Sequence, residues 1–254
     1  MRIFLVRHGE SKANVDKALY KIVPDHEIAL TSEGMEQSQR AGHVLLDYIN
    51  NNPLSIANPV DNLMSGVMDM MRKISEGKLD DLEPATQFKA RLWQSPYRRT
   101  RETARIISGV AKDVILDVRE HALLCEQQFG LFDGLTREES KEQFPPEYAS
   151  FEHTKQYNGK FWARFPMGES PFDTACRIHQ AFGTFHRDAE EHNINDIIII
   201  CHGTVLKLFT MMWLHKTPEW FQKEETCGNC AIRLLEDSED RGFIFNGFKD
   251  GKVT

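Results

Sequence analysis

The sequence contains no long hydrophobic run. Its longest late stretch of branched aliphatic residues, Ile197–Ile200, has four members, whereas a membrane-spanning helix needs about 20 apolar residues. The apolar run Ile3–Val6 is broken by Arg7 and is too short for the core of a signal peptide. We therefore expect a cytoplasmic protein that does not engage a membrane.

Cysteine is scarce and odd in number. Five cysteines are spread along a chain of 254 residues, which argues against a disulfide framework. Cys227 and Cys230 form one Cys-x-x-Cys pair, but no second pair stands at the spacing of a zinc site, so we predict free thiols there. The sequence also lacks a Walker pattern and His-Glu-x-x-His, which leaves no indication of a metal or cofactor.

Positive charge is not in excess. The chain has 31 Lys and Arg against 38 Asp and Glu, a formal net charge of -7. This balance argues against a nucleic-acid partner, which usually requires a basic face. It leaves room for a small anionic substrate, because a pocket can be locally basic in an acidic protein.

Short apolar strands alternate with amphipathic helices along most of the chain. Strands are expected at Arg2–Val6, Ala90–Pro96, Asp113–Glu120 and the segment "DIIIIC", with helices following each of them. Two further strands, "CAIRLLED" and "RGFIFNGF", are joined by the polar turn "DSED". This alternation predicts an α/β fold, a three-layer α/β/α sandwich around a mostly parallel mixed sheet.

Residues 53–89 interrupt the alternation. Apolar positions in this stretch recur at helical spacing: Leu63, Met64, Val67, Met68, Met71 and Ile74. We expect one domain over residues 1–254 with a helical insertion at about 53–89. The Met-rich face is compatible with core packing, with a flap over a site or with a dimer contact. If the protein forms an oligomer, this insertion is where we expect the contact.

Two of the expected strands end in His-Gly. His8 and Gly9 follow the first strand, and His202 and Gly203 follow "DIIIIC". Ligand sites in open α/β sheets lie beyond the carboxyl ends of the parallel strands. If the two strands are neighbours, both imidazoles therefore converge at one place.

Arginines stand at the same predicted edge. Arg7 precedes the first His-Gly pair, and Arg98 and Arg99 follow the strand that ends in "QSP". Guanidinium groups offer forked donors that match phosphate oxygens. Glycines next to strand ends let an anion approach main-chain N–H groups. The combination predicts a pocket for a dianionic tetrahedral group.

Five segments in this order resemble the motifs of the histidine phosphatase superfamily, the phosphoglycerate-mutase-like proteins. They are "LVRHGESKAN", "SPYRRTRETA", "LLCEQQFGLFDG", "FPMGES" and "IIIICHGTVLK". The order and rough spacing agree from residue 1 to about residue 235. The segments "YKIVPDHEIALTSEG", "CEQQFG" and "FWARFPMGES" are most similar to a smaller branch of plant and fungal phosphoglycerate-mutase-like proteins.

The resemblance implies a role for individual positions. His8 would be the nucleophile that takes the phosphoryl group, and Glu126 the general acid and base. The nucleophilic nitrogen must be unprotonated, so we expect the other ring nitrogen to meet a fixed acceptor such as a backbone carbonyl near Gly9. The positions implied around the phosphoryl group are Arg7, Arg99 and His202 for its oxygens, with Asn14, Gly203 and Thr204 as further donors.

Arg99 rather than Arg98 fits the family register, four residues after Ser95. Arg164 is our choice for binding a second anionic group on the substrate. Other residues in segments that could overhang the pocket are Lys17, Tyr20, Lys21 and Lys160. A solvated surface position stays open for all five.

The resemblance favours a metal-independent phosphomonoester phosphatase that works through phosphohistidine on a small phosphorylated substrate. One alternative is a phosphoglycerate-type mutase. Mutases have Arg-His-Tyr after the glutamate, whereas this chain has Gln127, Gln128 and Phe129, so we favour hydrolysis. A second alternative is a catalytically silent phosphate-binding regulatory module. The joint presence of the nucleophile, the acid and the cations argues against it.

Overall fold

The computed structural model describes residues 1–52, 71–72, 75, 90–249 and 252–253. The predicted helical insertion at about 53–89 falls almost entirely outside the described residues. The expectation of a single domain carrying this insertion therefore stays a prediction.

Strands and helices alternate as the sequence pattern indicates. The strands are β1 Arg2–Arg7, β2 Ala90–Gln94, β3 Ile115–Glu120, β4 Asp196–Cys201, β5 Ile232–Glu236, β6 Glu239–Phe245, β7 Phe248–Lys249 and β8 Lys252–Val253. The α-helices are α1 Lys12–Val15, α2 Ser32–Asn51, α3 Arg98–Val110, α4 Arg137–Gln143, α5 Pro145–Asn158, α6 Pro171–His192, α7 Gly203–Trp213 and α8 Pro218–Lys223. Short 3-10 helices at Lys17–Lys21, Asp25–Glu27, Ala122–Leu124 and Gly130–Phe132 lie in the connections.

The main sheet has six strands in the order β3-β2-β4-β1-β5-β6. The strands β3, β2, β4 and β1 are parallel, whereas β5 is antiparallel to both of its neighbours, β1 and β6. The predicted mostly parallel mixed sheet is therefore confirmed. The third strand begins at Ile115, two residues later than expected, because Val114 and Ile115 still donate backbone hydrogen bonds to Ala111.

Helices cover both faces of the sheet, as the three-layer prediction requires. Side chains alternate along a strand, so Ile197 and Ile199 join a core cluster with Phe182 and Phe209 from α6 and α7. The intervening residue Ile198 joins a second cluster on the opposite face, together with side chains from α2 and α3. Strands buried on both faces read as continuous apolar runs, which explains the four consecutive isoleucines.

The strand order brings the two His-Gly turns together. β1 pairs directly with β4, and the last residues in register are Arg7 and Cys201. His8 and His202 therefore each follow the same end of two adjacent strands. β2 lies on the other side of β4, so the segment that carries Arg99 leaves the sheet at the same edge.

The turn after β1 packs against the backbone of α2. A Cβ atom added at Gly9 would overlap the carbonyl oxygen of Gly34, and one added at Gly34 would overlap that of Glu10. The Thr31 hydroxyl accepts a hydrogen bond from the Gly34 N–H at 2.9 Å, which caps the helix at this contact. Glycine at both positions thus allows the approach that holds His8 against α2.

Two glycine substitutions in helices test this approach. We expect Gly34→Ala to lower the free energy of unfolding by about 1–3 kcal/mol, because the methyl group has no space. Gly109→Ala is the matched control in α3, where an added Cβ meets nothing within 4 Å. It should raise stability by up to about 1 kcal/mol. Urea unfolding measures both, and equal effects of the two substitutions would contradict the packing role.

Candidate active site

His8 lies at the floor of the site and is 4% exposed. Its Nδ1 atom is 2.7 Å from the carbonyl oxygen of Gly9. A carbonyl oxygen only accepts, so Nδ1 carries the hydrogen and Nε2 is unprotonated in the neutral ring. Burial, with the charges of Arg99 and Arg7, lowers the pKa of His8 well below its usual range. The geometry therefore gives a neutral imidazole with an available Nε2 lone pair, held by the kind of acceptor expected from the sequence.

His202 stands beside it as the N-cap residue of α7. The ring centroids of His8 and His202 are 5.3 Å apart, with the planes at 64°. The Nε2 atom of His202 is 2.9 Å from the Ser95 hydroxyl, and its buried Nδ1 has no partner among the described residues. Burial, then the charge of Arg99, lowers the pKa of His202 well below its usual range.

Two guanidinium groups face this imidazole pair. Arg7 donates from Nη1 to the carbonyl oxygen of Cys227 at 2.5 Å, while its buried Nε has no partner among the described residues. Arg99 is 2% exposed and lies 4.9 Å from the ring centroid of Tyr97. Arg98, by contrast, is exposed on α3 and binds Glu102. Of the two arginines, Arg99 is therefore the one that is buried at the site.

Arg99 already has a carboxylate partner. Its Nη1 is 2.7 Å from both Oδ1 and the backbone oxygen of Asp25, and its Nη2 is 3.3 Å from Oδ2. The sequence analysis did not single out Asp25, because nothing in the local pattern shows that the loop after α1 folds back over the start of α3. This ion pair orients the guanidinium within the pocket.

The N-terminus of α7 opens into the same space. Gly203 and Thr204, the first two residues of this helix, line the pocket. The first N–H groups of a helix have no intrahelical acceptor, and the helix dipole makes this end partly positive. An oxyanion held here would receive backbone donors.

Glu126 approaches from the loop that follows the 3-10 helix Ala122–Leu124. Its Oε1 accepts a hydrogen bond from the Gln127 N–H at 2.9 Å. Burial raises the pKa of Glu126, although this hydrogen bond and the charges of Arg99 and Arg7 oppose the change. The carboxyl group therefore keeps its proton to a higher pH than an exposed glutamate.

A network from α6 fixes the loop of Glu126. Arg177 donates from Nη2 to the Glu126 carbonyl oxygen at 3.0 Å and from Nη1 to that of Leu123 at 2.7 Å. Its Nε is 2.7 Å from Oε1 of Glu169. Glu169 belongs to the "FPMGES" motif and in turn accepts from the Gln128 N–H at 3.0 Å. Sequence reasoning found the motif but missed Arg177, whose partners lie far away along the chain.

These groups surround a cavity of about 460 Å³. The predicted site residues that line it are Arg7, His8, Asn14, Arg99, Glu126, Gly203 and Thr204. His202 is not among the lining residues but packs edge-on against the ring of His8. The residues that line it without having been predicted as site residues include Asp25, Phe129, Phe132 and Asp133.

Arg164 is not among the residues that the structure brings to the cavity. Its exposed guanidinium binds Asp173, with 2.8 Å between Nε and Oδ2. Asp173 closes the capping box of α6, so Arg164 is drawn to the start of that helix. Of the other residues proposed to overhang the pocket, Lys17 and Tyr20 line it, whereas Lys21 binds Glu139 at 2.6 Å.

The described residues give no indication of a metal centre. No group of three or more His, Cys, Asp or Glu side chains within them is arranged to hold a metal ion. All five cysteines are free, as predicted for Cys227 and Cys230. Among the described helices, none has the length and apolar character that crossing a bilayer requires.

Comparison with known proteins links this geometry to one family. The model of the histidine phosphatase superfamily (branch 1) matches residues 3–53 and 80–248. Phosphoglycerate mutase-like protein AT74 of Arabidopsis thaliana is 30% identical over 244 residues, which cover 92% of this chain and 64% of that protein. Broad-range acid phosphatase DET1 of Saccharomyces cerevisiae is 24% identical, over 93% of this chain and 85% of that protein. The resemblance to the plant and fungal branch is therefore confirmed.

A solved structure shares the fold. The alpha-ribazole phosphatase from Shigella flexneri superposes with a TM-score of 0.62 at 19% identity, covering 98% of each chain. Its sheet and helices therefore correspond to those described above, while its sequence has diverged widely.

The tautomer of His8 can be observed directly. We expect nitrogen-edited NMR near neutral pH to show His8 as the neutral Nδ1–H form, with the signal assigned by its loss in His8→Gln. Because the pKa is lowered, this form should persist as the pH falls through about 6.5, the ordinary histidine value. An Nε2–H tautomer, or protonation at the ordinary pH, would contradict the geometry.

Proposed function

Because the chain belongs to branch 1 of the histidine phosphatase superfamily, we propose that it is a phosphatase that hydrolyses phosphomonoesters through a covalent phosphohistidine on His8. The observation that carries the proposal is the unprotonated Nε2 of a buried, neutral His8, faced by Arg7 and Arg99. The similar proteins from yeast and Shigella are named as phosphatases, which supports hydrolysis as the reaction. Since the chain spans less than two thirds of the Arabidopsis relative, its activity is inferred from its own site.

In the first step, Nε2 of His8 attacks phosphorus while the bond from phosphorus to the ester oxygen breaks. Glu126, whose raised pKa favours the protonated form, gives its proton to the leaving oxygen. Arg7, Arg99 and the N–H groups at the start of α7 stabilise the negative charge on the phosphoryl oxygens. The Gly9 carbonyl accepts from Nδ1 and so stabilises the cationic ring of the intermediate.

In the second step, water attacks the phosphorus of phosphohistidine. The carboxylate of Glu126 takes the proton of that water, the bond from nitrogen to phosphorus breaks, and inorganic phosphate leaves. His8 and Glu126 thereby return to their starting protonation states. Dividing the reaction into two easier displacements is the benefit of a covalent intermediate.

Hydrolysis is favoured over mutase chemistry by the side chains that follow Glu126. Gln127 donates from Nε2 to the Glu169 carbonyl oxygen at 3.1 Å, and Gln128 donates from Nε2 to the Tyr97 hydroxyl at 2.8 Å. Both amide groups are therefore engaged by the protein itself. The third residue, Phe129, presents an apolar ring to the pocket. A carboxylated sugar phosphate would gain no donor from this segment.

Trapping the intermediate tests the proposal. We expect a phosphate-labelled ester, quenched in alkaline detergent during turnover, to label the wild-type protein on His8. His8→Ala should lose the label and at least about 10³-fold in kcat. The matched control, His153→Ala, removes an exposed imidazole outside the pocket and should retain both. EDTA should leave the activity intact. Turnover without label on His8, or abolition by EDTA, would overturn the mechanism.

The pH dependence tests the role of Glu126. Protonated Glu126 and neutral His8 are both required, the pKa of Glu126 is raised, and that of His8 is lowered. We therefore expect kcat/KM for an alkyl phosphate to be highest at acidic pH and to fall as rising pH ionises Glu126. Glu126→Gln should lower the rate by about 10²–10⁴-fold. Its kcat/KM should also no longer show the fall at rising pH that ionisation of Glu126 causes. Ionisation of the substrate phosphate contributes equally to the pH profiles of the wild type and the variant. If kcat/KM of Glu126→Gln still falls with rising pH as in the wild type, Glu126 is excluded as the acid.

A further inference from the structure

The outer part of the pocket is formed by segments that the phosphoryl chemistry does not use. The 3-10 helices Lys17–Lys21 and Asp25–Glu27 form one wall, and residues 129–136 form the other. The walls are in direct contact, since a Cβ at Gly134 would lie 2.6 Å from the Cβ of Tyr20. Lys21 also binds Glu139 at 2.6 Å. These two walls are held together by direct contacts, and we call the surface that they form the pocket mouth.

Among the described residues of the pocket mouth, the charged side chains that line the cavity are the carboxylates of Asp25 and Asp133 and the ammonium group of Lys17. Asp25 binds Arg99 through both oxygens. Asp133 accepts a hydrogen bond from the Gly134 N–H, and its pKa is raised by burial and by the nearby charge of Asp25. Asp25 and Asp133 line the same cavity, and this proximity is why the charge of Asp25 contributes to the raised pKa of Asp133.

The charges can be divided between the two parts of a phosphomonoester. The dianionic phosphoryl group is matched by Arg7 and Arg99, and in the proposed reaction Glu126 starts as the protonated acid. What remains around the alcohol part of the substrate is Lys17 against Asp25 and Asp133. Counted formally over these three side chains, the pocket mouth has one negative charge in excess where the alcohol part must lie, and the carboxylate of Asp25 is shared with Arg99.

Aromatic rings complete the pocket mouth. Tyr20, Phe129 and Phe132 line it beside the two carboxylates. The faces of such rings attract cations and repel anions. Arg164, the cation expected to receive a second anion, is bound to Asp173 away from the cavity. Among the described pocket-mouth residues that line the cavity, Lys17 is the only cationic side chain that could attract a carboxylate or a second phosphate.

We infer that Asp25 and Asp133 determine specificity, and that they select phosphomonoesters whose alcohol part has hydroxyl or ammonium groups over those with a second anion. The inference rests on the proposed phosphatase function and defines its substrate class. The carboxylates accept hydrogen bonds from hydroxyl and ammonium donors, whereas they repel an anionic substituent.

Three substrates of nearly equal size test this selection. They are 3-phosphoglycerate, glycerol 3-phosphate and 3-amino-2-hydroxypropyl phosphate, which differ only in a terminal carboxylate, hydroxymethyl or aminomethyl group. With the full chain at mildly acidic pH, we expect kcat/KM to be at least about ten-fold lower for the carboxylate than for the other two. Repulsion between two like unit charges several ångströms apart near a protein surface is strong enough to cause a difference of about ten-fold.

Two variants assign the effect to its residues. Asp133→Asn keeps an acceptor for the Gly134 N–H, and Asp25→Asn keeps an oxygen for Arg99. Each should reduce the preference against the carboxylate by about three-fold or more. Asp47→Asn removes an exposed carboxylate on α2, outside the pocket, and should leave the preference unchanged. Thermal unfolding shows whether each variant folds. The order of kcat/KM among the three substrates in the wild type tests the inference without any variant.

p-Nitrophenyl phosphate separates failure of the inference from failure of the proposed function. If the wild type hydrolyses neither this ester nor the three substrates, the phosphatase proposal fails and the inference with it. If the wild type instead hydrolyses p-nitrophenyl phosphate and shows the same kcat/KM for 3-phosphoglycerate as for glycerol 3-phosphate, the inference alone is overturned. A preference that is unchanged in both folded Asp variants would overturn their assignment.

Discussion

The site depends on the parallel pairing of β1 with β4. Hydrogen bonds between these strands hold Arg7 in register with Cys201, and the next residue of each strand is a histidine. The imidazoles are buried because apolar layers cover both faces of the sheet up to that edge. Burial then lowers both histidine pKa values and raises that of Glu126. One sheet register thus places both imidazoles side by side, and their burial favours the neutral form of each ring.

Local pattern, together with the family resemblance, predicted the centre of this arrangement. Apolar strands followed by His-Gly have few structural explanations, and the carboxyl edge of a parallel sheet is a known meeting place for ligand groups. The order of strands was not evident from any one segment, although the five ordered motifs implied it. The mostly parallel sheet and the placement of His8, His202 and Arg99 followed from that reading.

The periphery of the site could not be predicted in the same way. Asp25 and Asp133 lie in polar connections, where nothing in the sequence distinguishes a pocket-lining carboxylate from a solvated one. Arg164 is the opposite case: the sequence suggested a pocket residue, but its guanidinium forms an ion pair with the helix-capping residue Asp173 away from the cavity. Arg177 stabilises the Glu126 loop through backbone carbonyls, and such acceptors carry no residue-specific signal. Side-chain partners across loops depend on tertiary packing that periodicity does not describe.

The ion pair between Asp25 and Arg99 has a consequence for the end of the catalytic cycle. A guanidinium that already has a carboxylate partner gains less from a phosphate than a solvated or unpaired one would, because the new contact replaces an existing one. Inorganic phosphate also lacks an alcohol part and so makes no use of the pocket mouth. The arrangement therefore favours departure of the product over its retention, and turnover need not be limited by a tightly held anion.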